Sequence, residues 1–112
     1  MMGTDPAEAA RFVQNSSAHI LALNCGAGVD MQNAAQAVRT FHQHSTLPIM
    51  VQPNAGTPML VGIKVVYRQT PEEMARDAKL VLAEGINILG SCCGSTPLHT
   101  RALRYLLDSQ SR

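Results

Sequence analysis

Three short apolar runs without polar alternation constrain this chain most. Residues 19–24 (His-Ile-Leu-Ala-Leu-Asn), 49–51 (Ile-Met-Val) and 86–90 (Ile-Asn-Ile-Leu-Gly) are too brief for helices, and each runs into a loop of Gly, Pro, Asn or Ser. Strands of this kind are expected to be covered on both faces, as in a parallel sheet flanked by helices. Helix-start signals lie between the runs. Asp5-Pro6-Ala7-Glu8 supplies a cap, a first-turn proline and a glutamate three residues on, after which Ala9, Phe12 and Val13 mark an apolar face. Met31, Ala34, Ala35, Val38 and Phe41 fall at helical spacing. Thr70-Pro71-Glu72-Glu73 repeats the start signal ahead of Met74, Ala78, Val81 and Leu82, and Gly85 stands where a left-handed cap residue belongs. Thr96-Pro97 opens a last helix with Leu98, Ala102, Tyr105 and Leu106 on its apolar face, and residues 60–67 predict one further short extended piece. The order α-β-α-β-α-β-α calls for parallel strands joined by right-handed crossovers.

Length limits how much of such a fold is present. The 112 residues make one domain, well short of the roughly 250 of a complete (β/α)8 barrel. The net charge of +1 comes without a basic run, so neither nucleic acid nor an anionic membrane surface is an expected partner. No run approaches a membrane span, and the first residues lack a basic segment followed by an apolar one, so a cytoplasmic protein is expected. Three cysteines is an odd number, which argues against a closed disulfide framework.

Those cysteines carry the chemistry. Cys25 follows the first apolar run, while Cys92 and Cys93 follow the third, 67 positions after Cys25 and two strand-helix units further on. In a parallel barrel, side chains at one level come from alternate strands, and sites form at the strands' C-terminal ends. All three thiols are thus expected at one edge of the sheet, converging above the intervening strand. Three thiolates without a fourth protein ligand suit a zinc ion with one position open, and Gly90 and Gly94 let the backbone turn there. Spacing alone also fits small buried packing groups, since cysteine is among the most buried residue types. A redox pair is a third reading, although its usual spacing is Cys-x-x-Cys. His42-x-His44 has a spacing that could bind metal, but at the end of a polar helix it reads more readily as surface, and His19 and His99 have no partner visible in the sequence. Ser95-Thr96 reads as capping residues that also offer an anion site at a helix start.

Leu23-Asn24-Cys25, Gln52-Pro53-Asn54-Ala55-Gly56 and Gly90-Ser91-Cys92-Cys93-Gly94-Ser95-Thr96-Pro97 resemble, in order and spacing, the three signature segments of the zinc-dependent homocysteine S-methyltransferases. The Pro-Asn-Ala-Gly loop and Thr70-Pro71-Glu72-Glu73-Met74 bring the likeness nearest to the homocysteine module of the cobalamin-dependent branch. Ala22, Val29 and Ser91 depart from the pattern, where glycine, proline and glycine are usual. The resemblance implies a TIM barrel of which residues 1–112 are the C-terminal portion, contributing the last three strands. It implies Zn²⁺ on Cys25, Cys92 and Cys93, the homocysteine sulfur in the open position, and Asn54 beside metal and substrate; read without the resemblance, Asn54 is a turn residue. It implies methyl transfer to homocysteine giving methionine, with cobalamin and methyltetrahydrofolate carried on other modules. The residues that would choose among methyltetrahydrofolate, betaine and S-methylmethionine as donor are not in this sequence.

Three readings remain open on these residues: the zinc part of a methyltransferase, a truncated non-catalytic module that binds zinc or a partner, and a small α/β domain with structural cysteines. The first expects the remainder of the barrel, or self-association, to cover the unpaired strand edges.

Overall fold

The computed structural model describes residues 5–24 and 30–110. Its elements follow the order α1 (Pro6–Gln14), β1 (Leu21–Asn24), α2 (Met31–His44), β2 (Ile49–Gln52), β3 (Met59–Val61), β4 (Lys64–Val66), α3 (Pro71–Ala83), β5 (Ile88–Leu89) and α4 (Pro97–Gln110). β1, β2 and β5 form a parallel sheet with β2 in the centre; Leu23 pairs with Val51, and Val51 with Leu89. The mixed α/β class and the parallel sheet follow the sequence expectation.

The helices begin where their caps dictate. Asp5 Oδ1 accepts the Glu8 N–H at 2.9 Å, and Asp30 Oδ1 accepts the Asn33 N–H at 2.8 Å. α3 has a reciprocal capping box, with the Glu73 N–H donating to Thr70 Oγ1 (3.1 Å) and the Thr70 N–H to Glu73 Oε1 (2.9 Å). It ends at Gly85, whose φ of +86° is the left-handed conformation glycine adopts without penalty.

Each helix packs on the next along the chain, and together they bury one face of the sheet. Leu21, Ile49 and Val51 join Ala34, Val38, Met74, Ala78, Val81 and Leu103 in a single core cluster. Among the described residues no helix covers the opposite face, which corrects the expectation that both faces are covered. Ala22 and Ile88 pair with Met50 from either side in the register, and Ala22, Asn24 and Ile88 are all exposed. The runs look apolar throughout because both faces are apolar, yet the helices all lie on one side.

Two helix faces are also rotated from the predicted ones. In α1 Val13 packs against the core as expected, but Ala10 is buried while Phe12 is 77% exposed; in α4 Leu106 is buried as expected, but His99 and Leu103 join it, with Leu98 and Tyr105 outside. In α4 the stripe runs i, i+4, i+7 from a histidine, which hydrophobicity alone does not select. Residues 60–67, expected as one extended piece, belong to an antiparallel hairpin of β3 and β4. Gly62, at φ +63°, takes the first place of its two-residue turn, as II′-type hairpins require. Among the described residues no helix is long and apolar enough to cross a membrane.

Candidate functional site

Beyond β5 the chain continues through Gly90 and Ser91 into a tight turn over residues 92–95 that leads to α4. Backbone bonds tie this turn to the loop after β2. The Cys92 N–H donates to the Pro53 carbonyl at 2.7 Å, the Ala55 N–H donates to the Cys93 carbonyl at 2.9 Å, and the Cys93 N–H donates to Asn54 Oδ1 at 3.1 Å. Asn54 is therefore more than a turn former: its side chain orients the cysteine pair. Gly94 has φ +79°, and a Cβ there would lie 2.2 Å from Cγ of Tyr67, so the turn requires glycine on two grounds. Gly90 needs no such conformation, since it is absent from the glycines with positive φ.

The two sulfurs lie 3.9 Å apart, with Cys92 partly exposed and Cys93 exposed. A disulfide needs about 2.05 Å, so these are separate thiols. Two thiolates on one tetrahedral zinc, each at about 2.3 Å, sit roughly 3.8 Å from one another. Exposure runs against reading the pair as core packing. Cys25 lies outside the described residues; the structure shows β1 ending at Asn24, which pairs with Gln52 at the same edge from which Pro53 and Asn54 emerge. It thus brings Cys92, Cys93 and Asn54 together, with β2 lying between β1 and β5 as expected. Among the described residues no group of three or more metal-binding side chains assembles.

Two residues that sequence reasoning missed border the turn. The Tyr67 ring rests on Gly94, and partial desolvation, together with the charge of and a hydrogen bond to Cys93, holds its phenol above the ordinary tyrosine range. His99 is 6% exposed. The Thr96 N–H donates to its Nδ1 at 3.1 Å, which leaves the ring proton on Nε2, and Nε2 donates to the Gln69 carbonyl at 2.7 Å. A signal for His99 does exist: Thr96-Pro97-Leu98-His99 has the spacing of a capping box, with histidine in the place of glutamate. For Tyr67 no local pattern gives one.

The other candidates have partners of their own. Thr96 Oγ1 accepts the Leu98 N–H at 3.2 Å, so Thr96 acts as a cap. His42 Nε2 donates to the Gly85 carbonyl at 2.9 Å, and Arg11 donates to His44 Nδ1 at 3.4 Å, so these two histidines face different elements. A small pocket of about 70 Å³ opens beside Asn54, lined by Asp30, Pro53, Gly56, Gln69 and Asp77 among others.

A parallel α/β unit with helices on one face and paired thiols at the C-terminal edge of its strands defines the class of protein. The profile of the homocysteine S-methyltransferase family matches residues 1–107, and the chain belongs to that family. It is 31% identical over 102 residues to the methionine synthase of Mycobacterium tuberculosis and, at the same identity and length, to that of Mycobacterium leprae. Each alignment covers 90% of this chain and 8% of the relative, so the chain spans a small fraction of their length.

Proposed function

We propose that residues 1–112 are the C-terminal portion of a homocysteine S-methyltransferase (β/α)8 barrel, carrying its last three strands and the zinc site for methyl transfer to the homocysteine thiol. The observation that carries the zinc reading is the 3.9 Å separation of two accessible thiols, one partly exposed and the other exposed, on a turn fixed by its neighbours. The bare sheet face supports the barrel, because in a closed barrel that face meets the other strands.

In this reading Cys25, Cys92 and Cys93 hold the metal, and homocysteine takes the remaining position. Zinc bound there supplies the Lewis acidity that makes a thiol a thiolate at neutral pH. The chain's own residues prepare the place. Asn54 fixes the Cys93 backbone, Gly94 allows the turn, and the Tyr67 ring packs on that glycine. Cobalamin and methyltetrahydrofolate, where used, belong to other modules. Free thiols of this kind suit the reducing cytoplasm.

Elemental analysis of purified chain tests the assignment. One zinc per chain is expected, with loss in Cys25→Ala, Cys92→Ala and Cys93→Ala; an unchanged content in the triple variant overturns it. A second reading, a zinc module without catalysis, draws on the small share of the relatives' length that is present, and a methyl-transfer assay with homocysteine separates the two.

A further inference from the structure

We propose that His99 is a positioning residue for the cysteine pair: its ring closes a hydrogen-bonded circuit that holds the 92–96 turn against the loop after β2 and the segment before α3.

The circuit can be followed bond by bond. The Cys93 carbonyl accepts the Ala55 N–H at 2.9 Å, and the Ala55 carbonyl accepts the Gln69 N–H at 3.2 Å. The Gln69 carbonyl accepts Nε2–H of His99 at 2.7 Å, and Nδ1 of the same ring accepts the Thr96 N–H at 3.1 Å. Thr96 lies in the same turn as Cys93, and within that turn the Ser95 N–H donates to the Cys92 carbonyl at 3.2 Å. Every other bond around the loop joins backbone to backbone, so the one side chain that can open it is that of His99. The ring is almost fully buried, and water cannot readily replace a bond that is lost. Imidazole also fits the task chemically, because the neutral ring offers a donor and an acceptor at fixed separation on a rigid frame. Tyr67 stands two residues before Gln69, so the same clamp sets the ring that rests on Gly94.

The alternative is that His99 only caps α4 through Thr96. Two substitutions separate these roles. His99→Asn keeps a short acceptor for the Thr96 N–H but cannot span to Gln69. His99→Gln carries a donor long enough for the Gln69 carbonyl. A clamp predicts rescue by Gln and not by Asn; a cap, whose place Gln fills as an ordinary capping-box residue, predicts rescue by both.

The significance for the metal rests on the function proposed above, so the full chain is read in two ways. Amide hydrogen exchange on metal-free protein should show segments 67–69 and 91–95 protected in wild type and in His99→Gln but loosened in His99→Asn. Titration with Co²⁺ should show the sulfur-to-cobalt charge-transfer band in wild type and in His99→Gln, with affinity about tenfold weaker in His99→Asn, the scale of lost outer-shell support. Wild type that takes no Co²⁺ refutes the metal reading, and hydrogen exchange alone then decides the clamp. Rescue by Asn rather than Gln, equal exchange in both variants, or loss of helical circular dichroism in both overturns the proposal.

Discussion

Gly94 meets two demands that no other residue can satisfy together, a φ of +79° and an open space where Tyr67 rests. Gly94→Ala should therefore destabilise the chain by about 1–3 kcal/mol in denaturant unfolding, the usual cost of a strained backbone position. Tyr67→Phe keeps the ring on Gly94 and removes only the phenol beside Cys93. Its melting temperature should stay near wild type while metal affinity falls about tenfold in chelator competition, as for other lost partners of ligands; equal affinity would show the phenol to be a bystander. The contrast also explains what could be read at this scale. The 92–95 turn and the Pro53-Asn54 loop were legible as turns because turn residues are local signals, whereas the bond from the Cys93 N–H to Asn54 joins positions far apart in the chain. Tyr67 and His99 were not legible, because what they do depends on groups far along the chain, such as the Gln69 carbonyl 30 positions from His99.

Among the elements, helix starts were legible and helix faces less so. A cap is a local pattern, and the Thr70 and Asp5 caps formed as spelled. Which stripe turns inward depends on where the next helix lies, and α1 and α4 present Ala10 and Leu103 where composition favoured Phe12 and Leu98. Replacing Thr70 with Ala removes the acceptor for the Glu73 N–H and should lower stability by about 1 kcal/mol, read from the urea midpoint. Acid should act through the same box. The Thr70 backbone bond holds Glu73 below the ordinary carboxylate range, and the Arg39 guanidinium does the same for Glu84. A carboxylate whose folded pKa is depressed adds stability that is complete above its unfolded value, near pH 4.3, and is lost as pH falls through the folded one. Stability should thus decline below about pH 4, and the slope should be shallower in Glu73→Gln, in which that group no longer titrates. An identical pH profile in the variant would remove Glu73 from the account.

For the whole molecule, the bare face and the two open edges of the sheet matter most. Among the described residues β1 and β5 each pair on one side only, and no helix lies over the Ala22–Met50–Ile88 row. The β3–β4 hairpin adds Leu60, Ile63 and Val65 to the exposed apolar surface. In the proposed barrel the remaining strands would close both edges and fill that face, as well as hold the amino acid and the methyl donor. Orientation of two reactants supplies a large share of a bimolecular rate, so the isolated chain should bind metal yet give no methionine above background when supplied with homocysteine and donor. Full turnover by the monomer would contradict this. Assembly should betray the same gap. Unblunted edges recruit other strands, and neither β1 nor β5 carries a charged residue to discourage that pairing. The four helices bury only one side of the sheet, which leaves apolar area that a second copy can cover. Sedimentation velocity across a concentration series should therefore show mass rising with concentration, and charged substitutions at Ala22 and Ile88 should shift the distribution toward monomer. A single monomeric species up to high micromolar concentration, unfolding in one cooperative step, would instead mean that this α/β unit stands alone despite its open sheet.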